Sequence, residues 1–146
     1  MLVRTSEALW EGNIKKGRGN MKLGSGYFDG PYSFGSRFEH AAGTNPEELI
    51  GAAHAGCFNM AFAMLLDQAG YKVDHIHTIA RVHIDKAGEG YKISTIELDT
   101  EGKVPNCDEK TFRNKAEQAK KNCPVSMALA GVEIKLQSRL VSAKAA

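Results

Sequence analysis

Apolar and polar residues alternate over residues 2–10 and again over 27–34, with a stretch rich in glycine and aromatic side chains around them. A period of two marks strands with one face buried. Gly12, Gly17, Gly19, Gly24, Gly26, Gly30 and Gly35 punctuate the pattern, so the start of the chain reads as a small β-meander. Gly17-x-Gly19 and Gly24-x-Gly26 are read as turn glycines rather than a phosphate loop, because no Lys-Ser/Thr follows and no helix opens there. The pattern changes at Thr44-Asn45-Pro46-Glu47-Glu48. A cap residue, a proline at the first helical position, acids in the first turn and a glutamate three after Asn45 together start a helix. Gly70 stops it after about Ala69. Its apolar residues (Leu49, Ile50, Ala53, Cys57, Phe58, Ala61, Phe62, Leu65) lie nearly all round, so it is expected to be enclosed on most sides. In so short a chain, a second subunit is expected to cover part of it.

The β-branched alternation returns over 75–85 and 91–101, joined by Lys86-Ala87-Gly88-Glu89-Gly90, which has hairpin chemistry. Asp108 caps an amphipathic helix running to about Asn122, and Cys123-Pro124 breaks it. A short helical segment follows, then Gly131 leads into a last strand over 132–140. The predicted fold is α+β: an N-terminal β-meander, a long central buried helix, and an antiparallel sheet with helices on one face.

Length and composition narrow the function classes. At 146 residues, one domain spanning 1–146 is expected, and 42% hydrophobic with 25% charged residues is ordinary for a globular chain. The net charge of +2 favours no partner. The lysines come in pairs (Lys15 and Lys16, Lys120 and Lys121) rather than in a stripe with aromatics, so no nucleic-acid partner is expected. Arg4, Glu7 and Glu11 interrupt the N-terminus where a secretory signal needs an apolar run, which points to the cytoplasm. Residues 49–66 lack Asp, Glu, Lys and Arg, but they contain His54, Asn59, Gly51 and Gly56 and have no basic flanks. A core helix is expected there, not a membrane span. Three cysteines without a Cys-x-x-Cys motif argue against a disulfide framework or a zinc site, leaving reactivity or packing.

Cys57 lies in the middle of the most apolar helix, where a lone cysteine is usually a packing residue. Cys123 precedes Pro124 and so sits at a cap position, where free backbone N–H groups favour a thiolate. Cys107 also precedes a helix, in what reads as an exposed loop, and carries little weight. A thiol that attacks a peroxide must be ionised, and a mid-helix position gets no help from a helix terminus, so Cys57 needs a cation. Arg37, following the alternating stretch 32–36, is the candidate, with Glu47 as the carboxylate that fixes its fork. Ten residues of helix separate Glu47 from Cys57, a rise of roughly 15 Å, so the two cannot meet on one helix. Either the arginine bridges them or Glu47 comes from another subunit, and the site is expected at a dimer interface. His54, one turn before Cys57, permits a Cys-His pair for acyl transfer, although no Asp or Asn is evidently placed to orient it. His75, His77 and His83 alternate on a strand, but no third ligand is implied and no metal is expected.

With these residues laid out, the chain resembles the OsmC (osmotically inducible protein C) family, akin to the organic hydroperoxide resistance proteins. The resemblance rests on Trp10-Glu11-Gly12-Asn13-Ile14-Lys15, on Phe34-Gly35-Ser36-Arg37-Phe38-Glu39, on the block from Gly43 through His54-Ala55-Gly56-Cys57-Phe58, and on Cys123-Pro124-Val125-Ser126. It implies an intertwined homodimer with two active sites at its interface. It also implies reduction of organic hydroperoxides, and of hydrogen peroxide less well, with no bound cofactor. By position, Cys57 is similar to the family's peroxidatic cysteine, Cys123 to its resolving one, and Arg37 with Glu47 to its activating pair. The implied cycle passes through a Cys57 sulfenic acid and a Cys57–Cys123 disulfide that an external dithiol reopens. Two other readings stay open: a non-catalytic protein that binds a hydrophobic ligand along the apolar helix, and a Cys-His thioesterase using His54.

Overall fold

The computed structural model describes residues 1–141, which form two compact units, the first Met1–Leu49 and the second beginning at Ile50. In the first unit, β1 (Ser6–Glu11), β2 (Arg18–Leu23) and β3 (Asp29–Tyr32) form an antiparallel sheet in the order β1-β2-β3, the meander that the alternation predicts. Gly19 departs from the turn-glycine reading. It lies inside β2, opposite both Trp10 and Tyr32, whose rings stand 5.5 Å apart, and a Cβ there would collide with both of them. Its side-chain-free surface is what lets two aromatics meet across the sheet. Gly26, with φ of +80°, is a true turn glycine.

The alternating stretch before Arg37 is also corrected, because it ends in a helix, α1 (Phe34–Phe38). Ser33 and Ser36 form a reciprocal cap: Ser36 N–H donates to Ser33 Oγ at 3.1 Å and Ser33 N–H to Ser36 Oγ at 2.9 Å. Two satisfied backbone donors outweigh the β pattern of a short run. α2 (Pro46–Gln68) starts where expected, with Glu48 N–H donating to Asn45 Oδ1 at 2.8 Å. The Glu48 carboxylate, however, accepts from the Thr44 hydroxyl at 2.7 Å instead of closing a capping box with Asn45.

In the second unit, β4 (His75–Ala87), β5 (Gly90–Lys103) and β6 (Glu133–Leu140) form another three-stranded sheet. The hairpin is tighter than the five-residue connection suggests: Ala87 pairs with Gly90, and Gly88 takes the left-handed conformation at φ +60°. The sheet is not antiparallel throughout, since β6 runs parallel to β5. α3 (Glu109–Asn122) and α4 (Pro124–Ala128) stand between these two strands, and a helical crossover returns the chain in the same direction. The N-cap of α3 is Asp108, as predicted, accepting from Thr111 N–H at 2.9 Å.

α2 buries one stripe, Gly51, His54, Phe58, Phe62 and Leu66, at the three- and four-residue spacing of a helix face. Phe58, Phe62 and Leu66 form the core with Ile96, Leu98, Val104, Phe112, Ala116 and Ala119. Enclosure on most sides is not seen within the chain, because Met60 and Met64 on the opposite face are exposed. The Phe62 ring lies 5.6 Å from Phe58 and 4.8 Å from Phe112, joining α2 to α3 through a tilted aromatic stack. Phe62→Ala is expected to cost about 3–5 kcal/mol of unfolding free energy, read from urea denaturation, because these rigid neighbours cannot collapse into the void. A loss below about 1 kcal/mol would show that the stack does not hold the core.

Candidate active site

The predicted site residues fall into two constellations, one in each unit. In the first unit, Arg37 and Glu47 meet as expected. The guanidinium donates from Nη2 to Glu47 Oε1 at 2.6 Å and from Nε to both carboxylate oxygens at 3.1–3.2 Å. Local capping builds this pair. Arg37 projects from the last turn of α1, and Glu47 sits in the first turn of α2. The two helix ends are tied by Ser36 Oγ donating to Thr44 O at 2.6 Å and Asn45 Nδ2 donating to Ser36 O at 3.1 Å. Glu47 is buried, so its charge is tolerated only because the fork satisfies it.

In the second unit, Cys57 from the middle of α2 and Cys123 from the N-cap of α4 lie near enough for their thiols to interact, both free of disulfide. Pro124 at the first position of α4 ends α3 and opens the cap, as the sequence predicts. Cys123 is fully buried. Its sulfur accepts from Ser126 N–H at 3.2 Å, and its thiol donates to Ser126 Oγ at 3.0 Å. Burial pushes the Cys57 thiol above its ordinary value. The Val125 N–H, donating to the sulfur, pulls it down, and contact with Cys123 raises it again. Within its own unit the balance therefore disfavours the thiolate.

His54 does not pair with Cys57. Its Nε2 lies 2.7 Å from Ser126 Oγ, and its Nδ1 is buried without a partner among the described residues. The Cys-His acyl-transfer arrangement is thus not formed, and burial holds the imidazole below its ordinary value of 6.5, in the neutral form. Sequence reasoning assigned no role to Ser126. The available signal was its place three residues after a cap cysteine, where an N3 backbone donor meets the cap side chain. Cys107 is half-buried against the core rather than exposed, and its thiol is pushed up by burial, Asp108 and Glu109, which makes it a poor nucleophile.

The OsmC-like protein family matches residues 39–137, and the chain belongs to that family. It is 46% identical over 140 residues to the peroxiredoxin OsmC of Escherichia coli, covering 95% of this chain and 97% of that one. Among solved structures, an OsmC-like protein from Mycoplasma pneumoniae superposes with a TM-score of 0.76 at 16% identity, covering 97% of this chain and 99% of the other. The organic hydroperoxide resistance protein OhrB of Bacillus subtilis gives 0.69 at 22% identity, over 92% and 98% of the two chains. These two likenesses speak for the fold.

Proposed function

We propose that this protein is a peroxiredoxin-type enzyme that reduces hydroperoxides, with Cys57 as the attacking thiol and Cys123 as the resolving thiol. The observation that carries this reading is the contact between the two free thiols, one half-buried in mid-helix and the other at a helix cap. The Cys57 thiolate attacks the O–O bond and takes the distal oxygen as a sulfenic acid. The proximal oxygen leaves as an alkoxide, which is protonated to the alcohol. Attack by Cys123 on the Cys57 sulfur then releases water and forms the disulfide, and an external dithiol reopens it by exchange.

Arg37, fixed by Glu47, is assigned the charge that Cys57 lacks. A guanidinium whose fork is locked can hold the thiolate and the peroxide oxygens at once. The site is assigned to a homodimer interface, a reading supported by the exposed apolar side chains Met60 and Met64 on α2, which a second subunit would cover. The same apolar surroundings suit the tail of an organic hydroperoxide better than hydrogen peroxide. The cytoplasm, where dithiol reductants keep thiols reduced, suits this cycle.

The test is a slight excess of cumene hydroperoxide on fully reduced protein, followed by thiol counting and peptide mass. The expected product is one Cys57–Cys123 disulfide per chain in the wild type and a trapped Cys57 sulfenic acid in Cys123→Ser. Unchanged thiol content after peroxide would reject the peroxidase reading and bring forward a ligand-binding role.

A further inference from the structure

The proposed peroxidase cycle uses Cys57 and Cys123 but leaves His54 and Ser126 unused, although both are buried and Ser126 joins His54 to the resolving sulfur. Ser126 lies between the resolving sulfur and the imidazole, with polar contacts to both. The Ser126 backbone N–H donates to Cys123 Sγ, and the Cys123 thiol donates to Ser126 Oγ. The serine hydroxyl proton is then left to point at His54 Nε2, 2.7 Å away. In the tautomer in which Nε2 accepts, the imidazole proton lies on Nδ1, the nitrogen with no partner among the described residues. In that tautomer the groups form a buried chain, Cys123 S–H to Ser126 O–H to the His54 Nε2 lone pair.

We propose that Ser126 and His54 form a proton relay for the resolving thiol, a role that rests on the peroxidase reading. When Cys123 attacks the sulfenic acid at Cys57, its proton passes to Ser126 Oγ while the serine proton passes to His54 Nε2. The S–S bond forms and the S–O bond breaks, with the electron pair leaving on hydroxide. That hydroxide takes up the proton held by His54, returned across Ser126, and departs as water. One sulfenic acid and one thiol thus become one disulfide and one water, with the histidine neutral again. The transient state is a thiolate–imidazolium pair, a combination that stabilises a cysteine nucleophile. Burial keeps the imidazole in its base form before the step, so the acceptor is available at neutral pH. His54 acts through Ser126 and touches neither peroxide nor Cys57 sulfur in this scheme. It therefore belongs to resolution and not to the attack on peroxide.

The two steps separate in a single turnover. Reduced protein is mixed with one equivalent of cumene hydroperoxide, quenched over time, and scored for sulfenic acid and disulfide by mass. His54→Gln retains an amide that can hydrogen-bond Ser126 Oγ but cannot take a proton, and Ser126→Ala cuts the chain at its middle. Both are expected to slow disulfide formation at least about tenfold more than they slow Cys57 oxidation, so sulfenic acid accumulates. Ser126→Thr, which keeps the hydroxyl, restores resolution. Wild-type resolution rates in His54→Gln, or equal slowing of both steps in the two variants, overturn the relay while leaving the peroxidase intact. If His54→Gln does not fold, Ser126→Ala with its threonine rescue decides alone. Absence of any thiol loss in wild-type protein removes the peroxidase reading and the relay with it.

Discussion

Cys57→Ser is expected to lower kcat/KM for cumene hydroperoxide by more than about a thousandfold, because the serine hydroxyl has neither the ionisation nor the polarisability of a thiolate. The same peroxide should leave its remaining thiols intact. In the proposed cycle Cys57 and Cys123 act in series, so Cys123→Ser is expected to behave differently. It completes the first oxidation and then stalls. Steady-state assays with a dithiol reductant, beside single-turnover thiol counts, separate the two phenotypes. Peroxide consumption by Cys57→Ser at even a tenth of the wild-type rate would remove Cys57 from the attacking position. The fold should survive the exchange, since Cys57 is not one of the fully buried core residues.

Arg37→Met is expected to slow Cys57 oxidation about a hundredfold to a thousandfold at pH 7, the range seen when one donor to a developing negative charge is removed. Its pH dependence carries more information than its size. Burial raises the Cys57 thiol, with contact with Cys123 adding to the rise, and the Val125 N–H alone opposes it. Without the guanidinium, the thiolate is scarce at neutral pH and becomes more abundant as pH rises. The oxidation rate of Arg37→Met should therefore climb by about tenfold per pH unit below the raised thiol pKa, while the wild-type rate levels off at lower pH. A variant with the wild-type rate and profile would free Arg37 of this role. Stability must be checked alongside, because the substitution leaves the Glu47 carboxylate, 7% exposed, without its partner. The Arg37 side chain is itself 37% exposed, so solvent screens part of that loss. Arg37→Met combined with Glu47→Gln restores neutrality at the buried end. If the double variant regains stability but not rate, the chemistry and the folding are separated.

The helix starts and stops were legible because their causes lie within a few residues of one another. Asn45 with Pro46, Asp108 with Thr111, and Cys123 with Pro124 announce their helices in the chain, and each cap is in place. α1 was missed although its cause is just as local. Ser33 and Ser36 make a capping box without the usual glutamate or glutamine, and the alternation on either side masked it. The α2 stripe was read as apolar all round, since alanine, glycine and methionine on the outer face carry no polarity to mark it as exposed.

The candidate chemistry divides in the same way. Composition, the cap at Cys123 and the blocks around Arg37, Glu47 and Cys57 were enough to nominate the four site residues and the family. Side chains at those positions have local reasons to be there: a proline that opens a cap, an acid in a first turn, an arginine at a helix end. Only the tertiary structure decided the direction of β6, the packing of Trp10 and Tyr32 over Gly19, and the partner of His54. From the sequence, His54 faced Cys57, three residues along one helix. In the fold it bonds Ser126, 72 residues away, because burial of the α2 stripe leaves its ring nitrogen to be satisfied by whatever polar group the crossover brings alongside. Local hydrogen bonds and periodicity act over a turn or two and can be read in order along a chain. Burial acts on whatever surfaces meet, and only the folded chain determines which they are.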